Sequence, residues 1–315
     1  MKIIEMETKI IVFCMISLLA ILVLGVDGCQ QQKETAQNVQ GIAMSFVASA
    51  PPETVSVNQE FPIYVDIINK GGSYINANEA KFYLGGIGYD LKNVEKFLTN
   101  TKLMSKESTF PERLVFAKDA KWTTSLENSI PLYPILLTGC YNYGTVAQVD
   151  ICVSSKNESV ICLISGEKIK SDSNSVAPLQ ITSVTESLEG NKLKVTILVE
   201  NKGVSTVPNN PNVYLSDTNC DKIYAKDFDE LQKENKVKVV INTGAEPGWT
   251  CKLQSKDPPF SAVTGLEGVI SLEPVGKIVC EKVIKEETHV MPLIVSLQYR
   301  YMDSITKSIK INPAE

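Results

Sequence analysis

The stretch Phe61-Pro-Ile-Tyr-Val-Asp-Ile-Ile-Asn-Lys-Gly71 occurs again as Leu193-Lys-Val-Thr-Ile-Leu-Val-Glu-Asn-Lys-Gly203, 132 positions further on. In this alignment Phe61, Ile63, Val65 and Ile67 fall on Leu193, Val195, Ile197 and Val199. Every second side chain is apolar, the period of a strand with one buried face. Each copy stops at Asn-Lys-Gly, where glycine is expected to supply a left-handed turn. Phe82-Tyr-Leu84 then falls on Val213-Tyr-Leu215, and Tyr141-Asn-Tyr143 on Tyr299-Arg-Tyr301, the last pair 158 positions apart. The second copy therefore carries about 26 more residues before its final strands, and Lys222 to Glu234 is the expected insertion, as a short helix. The chain reads as two related β domains in tandem.

The remaining segments fit that plan. Ile42 to Val47 opens the first domain, Pro51-Pro52 breaks it, and Lys81 to Leu84 follows the repeated strand. Residues 92–98 read as a short helix, Leu114-Val-Phe116 and Trp122 as weaker strands, and residues 135–143 and 145–153 as a closing hairpin. The first domain is assigned to residues 42–155, a polar linker to 156–177 and the second domain to 178–313. Val237 to Ile241, Gly268 to Leu272 and Ile305 to Ile311 are further strands. Short strands between Gly, Pro and Asn turns, with no long helix, read as β-sandwiches.

Lys2 and Lys9 precede an apolar run of 17 residues, Ile10 to Val26, ending at Asp27. Its length lies between an ordinary secretory segment and a spanning helix, so residues 1–28 read as a signal peptide or an uncleaved anchor. Gly28-Cys29 resembles the lipobox of exported lipoproteins, which implies a lipid on Cys29; Asp27 departs from that pattern. Residues 29–41, nearly devoid of apolar side chains, read as a flexible tether. Both readings of the front end put the rest of the chain at the cell surface, anchored to the membrane on its extracellular side.

The alternating strand, its Asn-Lys-Gly end and the strand after it resemble the CARDB-type immunoglobulin-like domains of microbial cell-surface proteins. With the lipobox and Cys140-Tyr-Asn-Tyr-Gly-Thr145, the chain is similar to uncharacterised lipoproteins of small-genome archaea. The resemblance covers most of residues 42–313. It implies an all-β fold of two tandem immunoglobulin-like domains and is barely specific for function, because such folds host many.

Cys14 lies in the apolar run and Cys29 at the lipobox, leaving Cys140, Cys152, Cys162, Cys220, Cys251 and Cys280. Six cysteines in an exported chain suggest disulfides, with 15 possible connectivities. The positions equivalent to Cys140 and Cys152 in the second copy are Gln298 and Lys310; joint absence points to a Cys140–Cys152 pair. Cys251 with Cys280, and Cys162 with Cys220, complete the expected set. No Cys-x-x-Cys spacing supports a zinc site.

Little in the sequence points to chemistry. A net charge of −5 without a cluster of basic residues gives no footprint for nucleic acid. The single histidine, His289, has no recognisable catalytic partner, and Gly-x-Ser-x-Gly is absent. Asp217-Thr-Asn-Cys-Asp221 spaces oxygens like a calcium loop. Lys222 stands where glycine is needed and Phe228 where the bidentate glutamate belongs, so a solvated turn is expected. Asp227, Asp229 and Glu230 read as a solvated face, and Tyr141, Tyr143, Tyr299 and Tyr301 as cross-strand packing rather than a binding surface. Trp249 is expected in the core beside a disulfide, and Asn157-Glu-Ser159 is a sequon. No catalytic residue, metal or cofactor is expected. Two functions fit: adhesion or a structural role through protein or glycan contacts, or a solute-binding or accessory subunit of a membrane complex. A concave pocket with convergent polar groups favours the second, exposed edges and end loops the first.

Overall fold

The computed structural model describes residues 40–157, 159–203, 212–244, 246–253, 263–264, 266–273, 275–285 and 288–314. The apolar run, Cys29 and the segment up to residue 39 lie outside them. Among the described residues no helix is long and apolar enough to cross a membrane.

The first repeat contributes β1 (Ile42–Phe46), β2 (Thr54–Ser56), β3 (Glu60–Asn69), β4 (Lys81–Gly85), β5 (Leu91–Lys92), β6 (Phe97–Thr99), β7 (Glu112–Trp122) and β8 (Ile130–Val153). The second contributes β9 (Leu179–Glu189), β10 (Lys192–Asn201), β11 (Asn212–Leu215), helices α1 (Cys220–Tyr224) and α2 (Phe228–Leu231), then β12 (Lys236–Asn242) and β13 (Trp249–Leu253). It ends with β14 (Val263–Thr264), β15 (Glu267–Ser271), β16 (Gly276–Val283) and β17 (His289–Asn312). The fold is predominantly antiparallel β. Residues 92–98, expected to be helical, instead supply β5 and β6: pairing with β7 and β4 satisfies backbone groups that a lone helical turn would leave open.

Each repeated strand builds an outer sheet. β3 lies between β1 and β7, and β10 between β9 and β16. The alternation holds in both: Phe61, Ile63, Val65 and Ile67, like Leu193, Val195, Ile197 and Val199, are buried. At about 1.5–3 kcal/mol per buried side chain, these four positions anchor each half of the core.

The repeats do not separate into two bodies with a linker. β8 and β17, each 24 residues long, pair antiparallel from His289 opposite Val153 to Ile311 opposite Ile130. They form the centre of one sheet that both repeats share, in the order β15-β12-β17-β8-β4-β6. The expected turn at Gly144 is absent: the chain continues straight, opposite Gln298. Residues 156–177 also differ from a free linker. Gln148 N donates to Ser173 O (2.9 Å) and Ser175 N to Val146 O (2.8 Å), so the segment covers an edge of β8 that would otherwise expose unpaired backbone groups.

The continuous strand also decides the disulfides. Cys140 and Cys152 sit on one extended strand, which at about 3.3 Å per residue places them roughly 40 Å apart, far beyond the ~7 Å Cα separation a disulfide allows. Cys140 is bonded to Cys220, and Cys152 to Cys162. Cys251 is bonded to Cys280, as expected, across the paired strands β13 and β16.

At the middle of the shared sheet, Tyr141 faces Tyr301 and Tyr143 faces Tyr299. The four rings are buried and form a closed circuit with centroids 5.7–6.3 Å apart. Burial pushes all four hydroxyls well above their ordinary pKa, so they are neutral hydrogen-bonding groups. Tyr141 Oη accepts from Ile42 N at 2.9 Å and Tyr299 Oη from Leu179 N at 3.4 Å, the first strand residue of each repeat. Tyr143 Oη donates to Asn69 Oδ1 at 3.0 Å.

This junction explains Asn-Lys-Gly. In each copy the Asn side chain accepts from the Gly N–H (3.2 Å at Asn69, 3.1 Å at Asn201). The Lys N–H donates to the carbonyl preceding the first strand, Gly41 or Pro178, at 2.8 Å. Neither glycine has positive φ, contrary to the sequence-based expectation. Glycine is required by space: a Cβ on Gly71 would lie 2.0 Å from Tyr143 Oη, and one on Gly203 1.7 Å from Tyr301 Oη. The motif marks where a tyrosine of the shared sheet meets the turn.

Candidate functional site

Most of the residues weighed from sequence are structural where the structure describes them. Asp221 is not in a solvated turn. Its carboxylate accepts from Tyr83 Oη at 2.6 Å and pairs with Lys81 Nζ at 2.5 Å, so the α1 insertion of the second repeat clamps β4 of the first. Tyr224 stacks on Tyr83 with centroids 4.3 Å apart, and the Cys140–Cys220 bond lies in the same interface. Hydrogen bonds from Lys81 and then Tyr83 hold the Asp221 carboxyl below its ordinary range. Asn219 caps α1 and Asp227 caps α2, the role such residues favour at helix starts. Glu230 is buried, accepts from Asn219 N at 3.0 Å and pairs with Lys233 at 3.3 Å. Only Asp229 of that acidic group fits a solvated face. Asn157 is exposed, and Trp249 is buried as expected. Among the described residues no group of three or more His, Cys, Asp or Glu side chains could hold a metal ion.

One polar cluster was not legible in the sequence, and it lies at the end of the second repeat. The β13–β16 register sets Trp249 opposite Lys282, and β17 begins at His289 opposite Val153. Glu246, in the loop before β13, reaches both: its Oε1 lies 2.6 Å from Lys282 Nζ and 3.0 Å from His289 Nε2. His289 therefore does have a carboxylate partner, brought to it from 43 positions away in sequence. Lys282 also lies 5.8 Å from the Trp249 ring centroid. Glu246 Oε2 is shielded from solvent and has no hydrogen-bond partner.

These groups line an open groove of about 890 Å³ whose apolar walls include Val153, Pro247, Val283 and Ile284. A neighbouring loop, closed by Cys152–Cys162, borders it: the Cys162 sulfur lies 3.7 Å from the His289 carbonyl oxygen. Val160 is fully exposed at its tip, with Ile161 at 63 % and Leu163 at 46 %. Ser159 Oγ accepts from Ile161 N and Cys162 N and donates to Cys162 O, which keeps the tip tightly turned without apolar cover. The arrangement offers a ligand a carboxylate, an ammonium and an imidazole in the lining of a groove, with aliphatic side chains beside them. The adjacent hydroxyls, Ser154 and Thr288, are bonded to each other at 3.0 Å.

No protein-family model and no curated protein matches the chain. Among solved structures the chain is similar to the secreted serine protease VesC from Vibrio cholerae at 9 % identity and a TM-score of 0.19, covering 85 % of this chain. The chain spans about half the length of that structure, 50 %. A likeness that weak carries no argument about fold or activity.

Proposed function

We propose that the chain is a non-enzymatic surface lipoprotein, anchored through Cys29 or an uncleaved N-terminal helix, whose two immunoglobulin-like repeats present a recognition end to proteins or glycans outside the cell. The observation that carries this reading is the bare apolar tip Val160-Ile161 beside the Glu246–Lys282–His289 groove. Exposed aliphatic side chains held in a closed loop, next to convergent polar groups, combine the apolar and polar contacts that a protein-recognition surface uses. A glycan on Asn157, within the same loop, would tune access to it. The alternating strands and the CARDB resemblance support the immunoglobulin-like assignment, and the disulfides suit an oxidising compartment.

Crosslinking of intact source cells, read by mass spectrometry, tests this. Crosslinks from Lys156, Lys168, Lys282 or Lys285 to other surface proteins are expected, and Val160→Asp with Ile161→Asp should abolish them while the protein stays at the surface. Unchanged crosslinks in that variant would overturn the reading. The groove itself favours a second reading, a solute-binding or accessory subunit. It predicts that a small polar ligand raises Tm and that Glu246→Gln removes the shift, with Val160 and Ile161 irrelevant.

A further inference from the structure

The described chain begins beside an apolar patch. Gly41 O accepts from Lys70 N at 2.8 Å, and Gln40 O is 2.8 Å from where a Cβ on Gly71 would stand. The same turn holds a neighbouring loop: Glu107 N donates to Gly71 O at 2.9 Å and Ser108 N to Asn69 O at 2.7 Å. Ile75 and Met104, bridged to each other, point inward and are buried. Alternation therefore turns their neighbours Tyr74 and Leu103 outward. Phe110 shares a small groove with Leu103. Tyr74 is 60 % exposed, Leu103 54 % and Phe110 83 %. Lys106 Nζ lies 5.1 Å from the Tyr74 ring centroid, and Lys102 is exposed beside Leu103. The loop's carboxylates are Glu107 and Glu112, and Glu112 accepts from Thr101 N and Oγ1, both at 2.6 Å.

What covers this patch follows from where the chain enters. The eleven residues from Gln30 to Gln40 span at most about 35–40 Å, so a chain anchored at its N-terminus keeps this face within that reach of the bilayer. A tyrosine ring with a polar end, a phenylalanine, a leucine and lysines with long aliphatic stems suit the boundary between headgroups and acyl chains. We infer that Tyr74, Leu103 and Phe110, with Lys102 and Lys106, dock on the lipid surface that carries the anchor. The inference rests on the proposed membrane anchoring and adds to it a second, non-covalent attachment that fixes which face of the first repeat meets the membrane.

The test uses the full chain reconstituted in phosphatidylcholine–phosphatidylglycerol vesicles whose acyl chains carry bromine, a short-range quencher of indole. Phe110→Trp keeps an aromatic ring at the patch, and Tyr89→Trp, on the 91 % exposed residue between β4 and β5, serves as the control. With the signal of the unmodified chain subtracted, quenching for Phe110→Trp is expected to exceed the control by about twofold or more, as for a ring at headgroup level. Equal quenching in a chain that floats with the vesicles would overturn the docking and leave the anchoring intact. A chain that does not float overturns both. Protection of Tyr74 and Phe110 by a surface protein in cells, without quenching in protein-free vesicles, would assign the patch to that protein and also overturn the inference.

Discussion

The two Asn-Lys-Gly turns have the same sequence and bond pattern, yet they sit in different surroundings. Asn69 is fully buried: its Nδ2 donates to Ser73 O and Ser105 O, and its Oδ1 accepts from Gly71 N and Tyr143 Oη. Asn201 is exposed. Backbone carbonyl oxygens of Gln40 and Val176 lie 2.8 Å from where a Cβ on Gly71 would stand, behind the tyrosine hydroxyl, whereas the three nearest atoms to a Cβ on Gly203, among the described residues, all belong to side chains. One motif is thus a packed crossing of three chain segments, and the other, among the described residues, a more exposed turn against Tyr301. The repeat conserves the local geometry, and its surroundings set how much each copy contributes to stability.

The largest effect bears on how the repeats are joined. Replacing Cys140 and Cys220 by Ala opens a loop of 80 residues between the repeats and should cost about 4–5 kcal/mol on chain-entropy grounds. The Cys152–Cys162 pair, 10 residues apart, should cost about 2–3 kcal/mol. Denaturant unfolding of the two variants checks the order. Equal losses would mean that the β8–β17 pairing already holds the repeats together in the unfolded ensemble.

Next come the glycines. Gly71→Ala and Gly203→Ala should each lose about 1–3 kcal/mol through overpacking. Adding Tyr301→Phe should recover much of the loss at Gly203. Adding Tyr143→Phe should not do so at Gly71, where two backbone oxygens remain in the way. Equal rescue at both sites, by thermal unfolding, would break the distinction drawn between the turns. Asn69→Ala leaves buried donors and acceptors open and should cost about 1–3 kcal/mol, against less than about 1 kcal/mol for the exposed Asn201→Ala.

The smallest effect is electrostatic and belongs to the clamp between the repeats. Asp221 has its folded pKa lowered by Lys81 and Tyr83. Its contribution is therefore present above the unfolded carboxylate pKa and is lost as pH falls through the folded value. The Tm difference between the wild type and Asp221→Asn should be largest at neutral pH and shrink on acidification through the carboxylate range. Because the Asp221 side chain is half exposed, salt should reduce the difference as well. A difference that grows at low pH would refute the ion-pair account.

How much of this was legible in the sequence varies from element to element. β3 and β10 were readable in full, because a period of two in apolar side chains is a local property that burial of one face enforces. The α1–α2 insertion was readable from the growing repeat offset. The tyrosines were readable as packing, since alternate spacing puts them on one face. The long strands were not: Gly144 resembles a turn residue, and only pairing with β17 along the whole length of β8 keeps the chain straight there. That error propagated to the cysteines, because a hairpin would have brought Cys140 near Cys152 and a straight strand separates them.

The sequence by itself determined the strand class, the repeated segment and the buried face of each repeated strand. Those follow from side-chain period and from comparison of one copy with the other. Tertiary structure decided that the copies share one sheet, that glycine at Asn-Lys-Gly makes room for a tyrosine, and that His289 meets Glu246 and Lys282 in a groove. Each of these depends on groups distant in the chain arriving at one place. No local pattern encodes such meetings, because they are fixed by which sheet edges and faces the whole chain leaves open to be covered.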